Sequence, residues 1–272
     1  MSNFWQRTIT GIFFVLTIVL STVLNEWSFY ILLFAINFLC LREFYQLMLP
    51  DKNWIEQYLG VIAGSIINIM FALIIRNDWD YGWFYHLIPV FLLMIIIKLF
   101  EKTKREFDTL AYQVLGIIYI CFPLSMLADF GRFSSLIYDG ALPIGFFIML
   151  WTCDTGAYLV GRKFGKRKLF ERISPKKTWE GSFGGAALVI IVAFVLSQFD
   201  YFDILDLYEW VIVGLITLVF GTFGDLTESL LKRNIDVKDS GSLLPGHGGV
   251  MDRFDGLFLA VPAVYFYLLF TN

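Results

Sequence analysis

Nine apolar runs constrain this chain more than any other feature. They lie at about Thr8–Leu24, Trp27–Leu41, Tyr58–Ile75, Phe84–Phe100, Leu110–Leu127, Pro143–Val160, Ser182–Ser197, Trp210–Phe223 and Leu257–Phe270. A run of roughly 20 apolar residues spans the hydrocarbon core of a bilayer as a helix. Within lipid, a helix satisfies every backbone N–H and C=O inside the segment itself. Hydrophobic residues make up 58% of the 272, against roughly 45–50% in soluble domains, and the excess is gathered in these runs. In Phe84–Phe100, for example, only His86 and Lys98, near its two ends, carry charge near neutral pH. The expected fold is an all-α polytopic membrane protein with about nine transmembrane helices. The second run is short, and its helix is expected to continue through Arg42 to Met48. Arg7 precedes the first run, but Ser21–Asn25 has no small-x-small cleavage site, so an uncleaved first helix is expected.

Basic residues set the orientation, because they gather on the cytoplasmic side of membrane proteins. With a cytoplasmic N-terminus, all of the 21 Lys and Arg except Arg76 and Arg132 fall inside. The C-terminus then lies outside, and both long loops face the cytoplasm. The organisation that follows is residues 1–142 as about five N-terminal transmembrane helices. Residues 143–272 then form a catalytic membrane domain carrying two cytoplasmic loops, 161–181 and 224–256. The expected location is the cell (inner) membrane, multi-pass, with the active site on the cytoplasmic side and the lipid bilayer as a partner. A net charge of −3 argues against a nucleic-acid partner. Cys40, Cys121 and Cys153 show no metal-ligand spacing and read as buried, inert thiols.

The loop 161–181 carries eight basic residues against Glu171 and Glu180. Such a surface suits anionic headgroups or a bound phosphate, and Ser174–Gly181, punctuated by Pro and Gly, reads as an ordered turn. Asp154 lies late in the sixth run, and an acid in a membrane helix is costly and usually functional. Gly156–Lys163 has the glycines of a phosphate-binding loop but Arg-Lys where Lys-Ser/Thr is required, and is rejected as one. The loop 224–256 holds six acids (Asp225, Glu228, Asp236, Asp239, Asp252, Asp255) against four cations (Lys232, Arg233, Lys238, Arg253). Carboxylates of this kind suit Mg²⁺, which commonly takes one or two of them plus substrate phosphates. Glycines around His247 allow close backbone approach to a ligand or an anion.

The segment Ser229–Arg233, Lys238–Gly241 and Leu244–Asp255 resembles, without departure, the signature of the phosphatidate cytidylyltransferase (CDP-diacylglycerol synthase) family. Asp154–Tyr158 and Ser174–Gly181 are also similar to motifs of that family. The first 140 residues match it only in apolar character. The resemblance implies transfer of CMP from CTP to phosphatidic acid, releasing pyrophosphate, with Mg²⁺. It places metal-ligating acids at Asp225 and Asp252. Lys232, Arg233, Lys238 and Arg253 are expected to neutralise phosphates, with His247, Asp239 and Asp255 completing the catalytic group. Asp154, Lys176, Lys177, Ser229, Gly248 and Gly249 are expected to bind substrate. The surplus of carboxylates leaves room for a second cation, K⁺ or another Mg²⁺.

Two rival readings compete. Asp252–Gly256 shares the opening of the CDP-alcohol phosphotransferase motif, but Leu257–Phe270 lacks the Arg and acids which that motif requires next. A transporter would explain Asp154, but no internal repeat is visible and the charges lie in loops, not at midmembrane. Gly60-x-x-x-Gly64 in the third run allows a homodimer, although packing within one chain explains it as well.

Overall fold

Apolar runs that cannot leave a backbone group unpaired in lipid become helices, and helices make up most of the described residues. The structure is a computed structural model describing residues 3–50, 54–100, 106–133, 137–243 and 248–271. Among the described residues, six helical segments are long and apolar enough to cross a membrane, and three shorter apolar helices accompany them at Thr8–Leu24, Gly82–Lys98 and Leu257–Thr271. Each of the nine apolar runs falls on one of these segments. The chain divides into two compact units, Met1–Arg132 with Asp239–Asp252, and Phe133–Lys238 with Arg253–Asn272.

The first unit contains α1 (Asn3–Leu24), α2 (Glu26–Met48), α3 (Trp54–Asn77), α4 (Leu87–Lys98), α5 (Glu106–Gly116) and α6 (Phe122–Asp129). Asn25 starts α2 with a reciprocal cap, taking the Ser28 N–H while the Ser28 side chain takes its own; such a cap satisfies two donors that a helix start leaves over. As expected, α2 runs through Arg42 to Met48. A wide π turn at Ile117–Cys121 links α5 to α6. Phe29, Leu33, Cys40, Phe44, Ile67 and Leu124 are buried in this unit. Gly60 and Gly64 face the Tyr45 ring and the Leu41 side chain of α2, leaving no room for a Cβ. That motif therefore serves α2–α3 packing and gives a second copy of the chain no support.

The second unit contains α7 (Ala141–Phe164), a hairpin of β1 (Lys168–Phe170) and β2 (Ser174–Thr178), then α8 (Trp179–Leu196), α9 (Leu207–Asn234) and α10 (Leu257–Thr271). Its most extensive helix pair is α7 with α8. The two backbones touch: a Cβ on Gly156 would lie 2.9 Å from the Gly184 carbonyl oxygen. Small residues allow such approach between membrane helices. Trp210, Phe146, Val189, Ala193 and Phe258 are fully buried in this unit. All three cysteines are buried.

Two features depart from the sequence expectation. The hairpin interrupts an otherwise helical fold. Its strands pair antiparallel, Lys168 with Thr178 and Phe170 with Ser174, and Glu180 secures its approach by accepting the Lys166 and Arg167 N–H groups. Thr178 then caps α8 by accepting the Gly181 N–H. Ser174–Gly181, expected as an ordered turn, is ordered but is not a turn: it is the second strand of the hairpin followed by the first residues of α8. Secondly, α9 does not stop at Phe223 but continues to Asn234. Gly224 is the weakest helix former between Phe223 and Asn234, no Pro lies in that stretch, and Leu, Glu, Lys and Arg favour continuation. Lys232 and Arg233 also sit in the last turn, where cations oppose the helix dipole favourably.

Candidate active site

The close pairing of α7 with α8 brings a helix acid and a hairpin lysine to the same place. A cavity of about 250 Å³ opens in the second unit, lined by Asp154 and Tyr158 of α7, Lys176 and Lys177 of β2, and Thr222 and Asp225 of α9. Its floor is apolar, formed by Leu150, Cys153 and Leu218. Lys177 Nζ lies 2.7 Å from Asp225 Oδ2 and also donates to the Thr222 carbonyl at 3.3 Å. The other Asp225 oxygen accepts the Ser229 hydroxyl at 3.2 Å. Five residues named from the sequence (Asp154, Lys176, Lys177, Asp225 and Ser229) therefore meet around one cavity or its rim.

Asp255 belongs to the same electrostatic group. Burial pushes its carboxyl up to about 7, the Asp225 and Asp154 carboxylates push the same way, and the Gly256 N–H and Lys177 oppose them. The Gly256 N–H reaches Asp255 Oδ1 at 2.7 Å. Arg253 is exposed and acts electrostatically on Asp154. The end of α9 supplies the remaining cations. Lys232 donates to Glu228 Oε1 at 2.9 Å, and Glu228 is fully buried. Much of the Lys232 charge is therefore spent on a structural carboxylate, a use its sequence position did not reveal. Arg233 donates to the Val237 carbonyl and is exposed, as is Lys238.

The first unit holds a second set of named residues, in the loop 239–252. Asp252 does local work there: Oδ2 accepts the Ser240 N–H at 2.9 Å and the Gly249 N–H at 2.8 Å. Gly248 adopts a positive φ of 83°, a conformation glycine takes without strain. A Cβ there would lie 2.8 Å from Asp252 Oδ2 and 3.7 Å from Asp239 Oδ1. Gly248, Asp239 and Asp252 thus stand together. His247 lies outside the described residues. Asp225 and Asp252, named together as metal ligands, belong to different units.

One residue of this loop's surroundings was missed. Glu43, in α2, is buried at 7% exposure and receives hydrogen bonds from Ser240, Val250 and Met251. Its signal was available: an acid directly after Arg42 in an otherwise apolar helix carries the same cost that singled out Asp154.

Comparison with known proteins identifies the chain's relatives. A model of the cytidylyltransferase family matches residues 5–271. The chain belongs to this family. The protein named phosphatidate cytidylyltransferase in Bacillus subtilis (strain 168) is 34% identical over 277 residues, covering 98% of both chains. One of the same name in Staphylococcus saprophyticus is 34% identical over 271 residues, covering 97% of this chain and 98% of that protein. Another, in Haemophilus influenzae, is 43% identical over 128 residues, covering 46% of this chain and 44% of that protein. The resemblance seen in Ser229–Asp255 is borne out. It also extends over the first 140 residues, where the sequence alone showed only apolar character.

In this member of the cytidylyltransferase family, the second unit offers hard oxygen donors beside cations. Among the described residues, no three His, Cys, Asp or Glu side chains converge as a metal cage. Mg²⁺ does not need one, since it usually keeps waters and takes substrate phosphates alongside one or two carboxylates. Asp154 and Asp225, which line one cavity beside Lys176 and Lys177, are a carboxylate pair of the kind that suits such binding. A divalent cation would relieve the repulsion between them.

Proposed function

We propose that this chain transfers the cytidylyl group of CTP to phosphatidic acid, forming CDP-diacylglycerol and pyrophosphate in phospholipid biosynthesis. The observation that carries this is 34% identity with a phosphatidate cytidylyltransferase over 98% of both chains. The cavity beside Lys177 and Asp225 supplies the matching chemistry. A lipid phosphate oxygen forms a bond to the α-phosphorus of CTP, the bond from that phosphorus to the bridging oxygen breaks, and pyrophosphate leaves with the electron pair. The lipid phosphate is already anionic near neutral pH, so a strong general base is not the main need. The barrier is one anion approaching another, and catalysis rests on charge neutralisation and alignment.

Lys176, Lys177 and Arg253 neutralise the phosphate oxygens, with Lys177 exchanging Asp225 for substrate. Lys232, Arg233 and Lys238 add positive potential, although Lys232 also holds Glu228 in place. Asp225 would ligate Mg²⁺ with Asp255 and Asp154 close by; Asp252 is its second proposed ligand on the sequence resemblance alone. Mg²⁺, once bound, would withdraw charge from the phosphate oxygens. Surplus carboxylates leave a place for a second cation. Residues 143–272 carry most of the reacting groups.

Its apolar helices make this a multi-pass membrane protein, and we propose the cell (inner) membrane as its place. We further propose nine crossings, a cytoplasmic N-terminus, and an active site on the cytoplasmic side. The confinement of all but two basic residues to one side supports this, as does the fall of nine apolar runs on nine helical segments.

The direct test measures CTP-dependent CMP incorporation into lipid by the purified protein with phosphatidic acid and Mg²⁺. Formation of CDP-diacylglycerol with equimolar pyrophosphate is expected. No product, under conditions that support a relative, would overturn the assignment.

A further inference from the structure

Glu43 sits where an acid needs a strong reason to be. It is buried in α2, a helix apolar enough to cross a membrane. Burying a carboxyl group is costly unless its oxygens are hydrogen-bonded. Here both oxygens are used, by donors from Ser240, Val250 and Met251. Oε1 accepts the Val250 N–H at 2.9 Å. Oε2 accepts the Met251 N–H at 2.9 Å and the Ser240 hydroxyl at 2.9 Å.

The loop is shaped around this side chain. A Cβ on Gly241 would lie 2.7 Å from Glu43 Oε1, and a Cβ on Gly249 would collide with Glu43 Oε2 and Ser240 Oγ. Ser240 is held twice, its hydroxyl by Glu43 and its N–H by Asp252 at 2.9 Å. Glu43 thus reaches Asp252 by two short routes, through Ser240 and through Met251, the residue that precedes it.

We propose that Glu43 is a positioning residue for the cytidylyl-transfer site, an anchor in α2 that fixes Ser240, Val250 and Met251 and with them the Asp252 carboxylate and the Gly248–Gly249 backbone. The proposal rests on the reaction stated above. Glutamine is the informative replacement. It keeps the size but offers one acceptor oxygen, and its NH₂ group must face Val250 N–H or Met251 N–H, donor against donor. An unmatched buried donor typically shifts an equilibrium by about ten- to a hundredfold.

For full-length Glu43→Gln in detergent, four readings are expected. The thermal midpoint stays within a few degrees of wild type. Amide hydrogen exchange at Ser240, Val250 and Met251 rises at least about tenfold, with α7–α9 unchanged. kcat/KM for CTP, per folded molecule, falls at least about tenfold. The Mg²⁺ concentration for half-maximal rate rises several-fold, which a purely structural role would not move. Gly241→Ala, which pushes on Glu43 Oε1 while leaving it in place, should reproduce the exchange and kinetic changes. Wild-type kcat, KM and Mg²⁺ dependence in Glu43→Gln would overturn the proposal, as would a loss confined to the amount of folded protein. If Glu43→Gln fails to accumulate, Ser240→Ala decides. That variant removes one link without leaving an unmatched donor, and should raise exchange at Val250 and lower kcat/KM; wild-type behaviour in both would overturn the proposal. Absence of CTP-dependent product from the wild type would sink the reaction instead, and the exchange data would still read Glu43 by themselves.

Discussion

Two groups of acids in this protein use their oxygens in opposite ways. In the second unit, Asp225 pairs with a lysine at the wall of a cavity. In the first, Glu43 and Asp252 spend their oxygens on backbone N–H groups of one loop. The former arrangement leaves charge available to a ligand: an ion pair at a cavity surface exchanges partners at modest cost, because solvent already shares it. The latter holds the shape of the backbone around Ser240 and Gly248–Met251, and with it the position of the Asp252 carboxylate. The difference teaches that acid count alone does not mark reactive groups; the partners of each oxygen do.

The largest expected effect tests the cavity side of that contrast. Asp225→Asn should lower CTP-dependent product at least about a hundredfold while leaving amide exchange in 239–252 unchanged. Normal rates at limiting Mg²⁺ would remove Asp225 from the proposed metal site. Lys177→Met should follow, with a loss of about ten- to a hundredfold that Lys177→Arg partly restores. Equal rates in all three proteins would mean the ion pair is only structural.

Lys232→Ala probes a residue on the border between the two behaviours. It strips the ion-pair partner from the buried Glu228, and breaking a buried pair typically costs about 3–5 kcal/mol. A thermal midpoint matching wild type would mean Glu228 is satisfied without it. The double variant Lys232→Ala/Glu228→Ala should recover stability but not full activity.

Asp255 gives a pH signature. Its pKa stands at about 7 in the folded protein, against an ordinary 3.8. Between those values the folded protein keeps a proton that the unfolded chain has released. Stability without Mg²⁺ should therefore fall as pH rises from about 4 to about 7, then level off, by roughly 2–4 kcal/mol before solvent screening reduces it. Asp255→Asn should flatten that slope in thermal melts at several pH values; an unchanged slope would locate its origin elsewhere. The smallest effect is expected at exposed Arg233, where Ala should change KM for CTP by less than about threefold, and less still at high salt.

Much of this was legible in sequence because lipid makes harsh demands. Nine apolar runs had to become helices, and the charged residues between them had little freedom to be anything but surface or site. Asp154, Lys176, Lys177 and Asp225 were readable as individual charges, and they do meet at one cavity. What was not legible is where partners cross long stretches of chain. Glu43 lies 197 residues from Ser240, and no local pattern announces such a pairing. The run of α9 past Phe223 was hidden by the loss of hydropathy: the helix changes from lipid-facing to polar without any residue that stops it. The hairpin at 168–178 was hidden because three- and five-residue strands carry too little alternation to stand out among so many lysines.

That long helix has a further consequence. With 28 residues, α9 measures roughly 42 Å at about 1.5 Å per residue, whereas the oily interior of a bilayer is only about 30 Å deep. Its apolar portion ends near Phe223, so the two or three turns that follow stand clear of the oil as a rigid post. Asp225 is at the foot of that post, and the crossing proposed above sets it near the level of the phospholipid headgroups. Built to this height, the protein meets a phosphate that already rides at its level, and a diacylglycerol tail can stay in the membrane throughout the reaction.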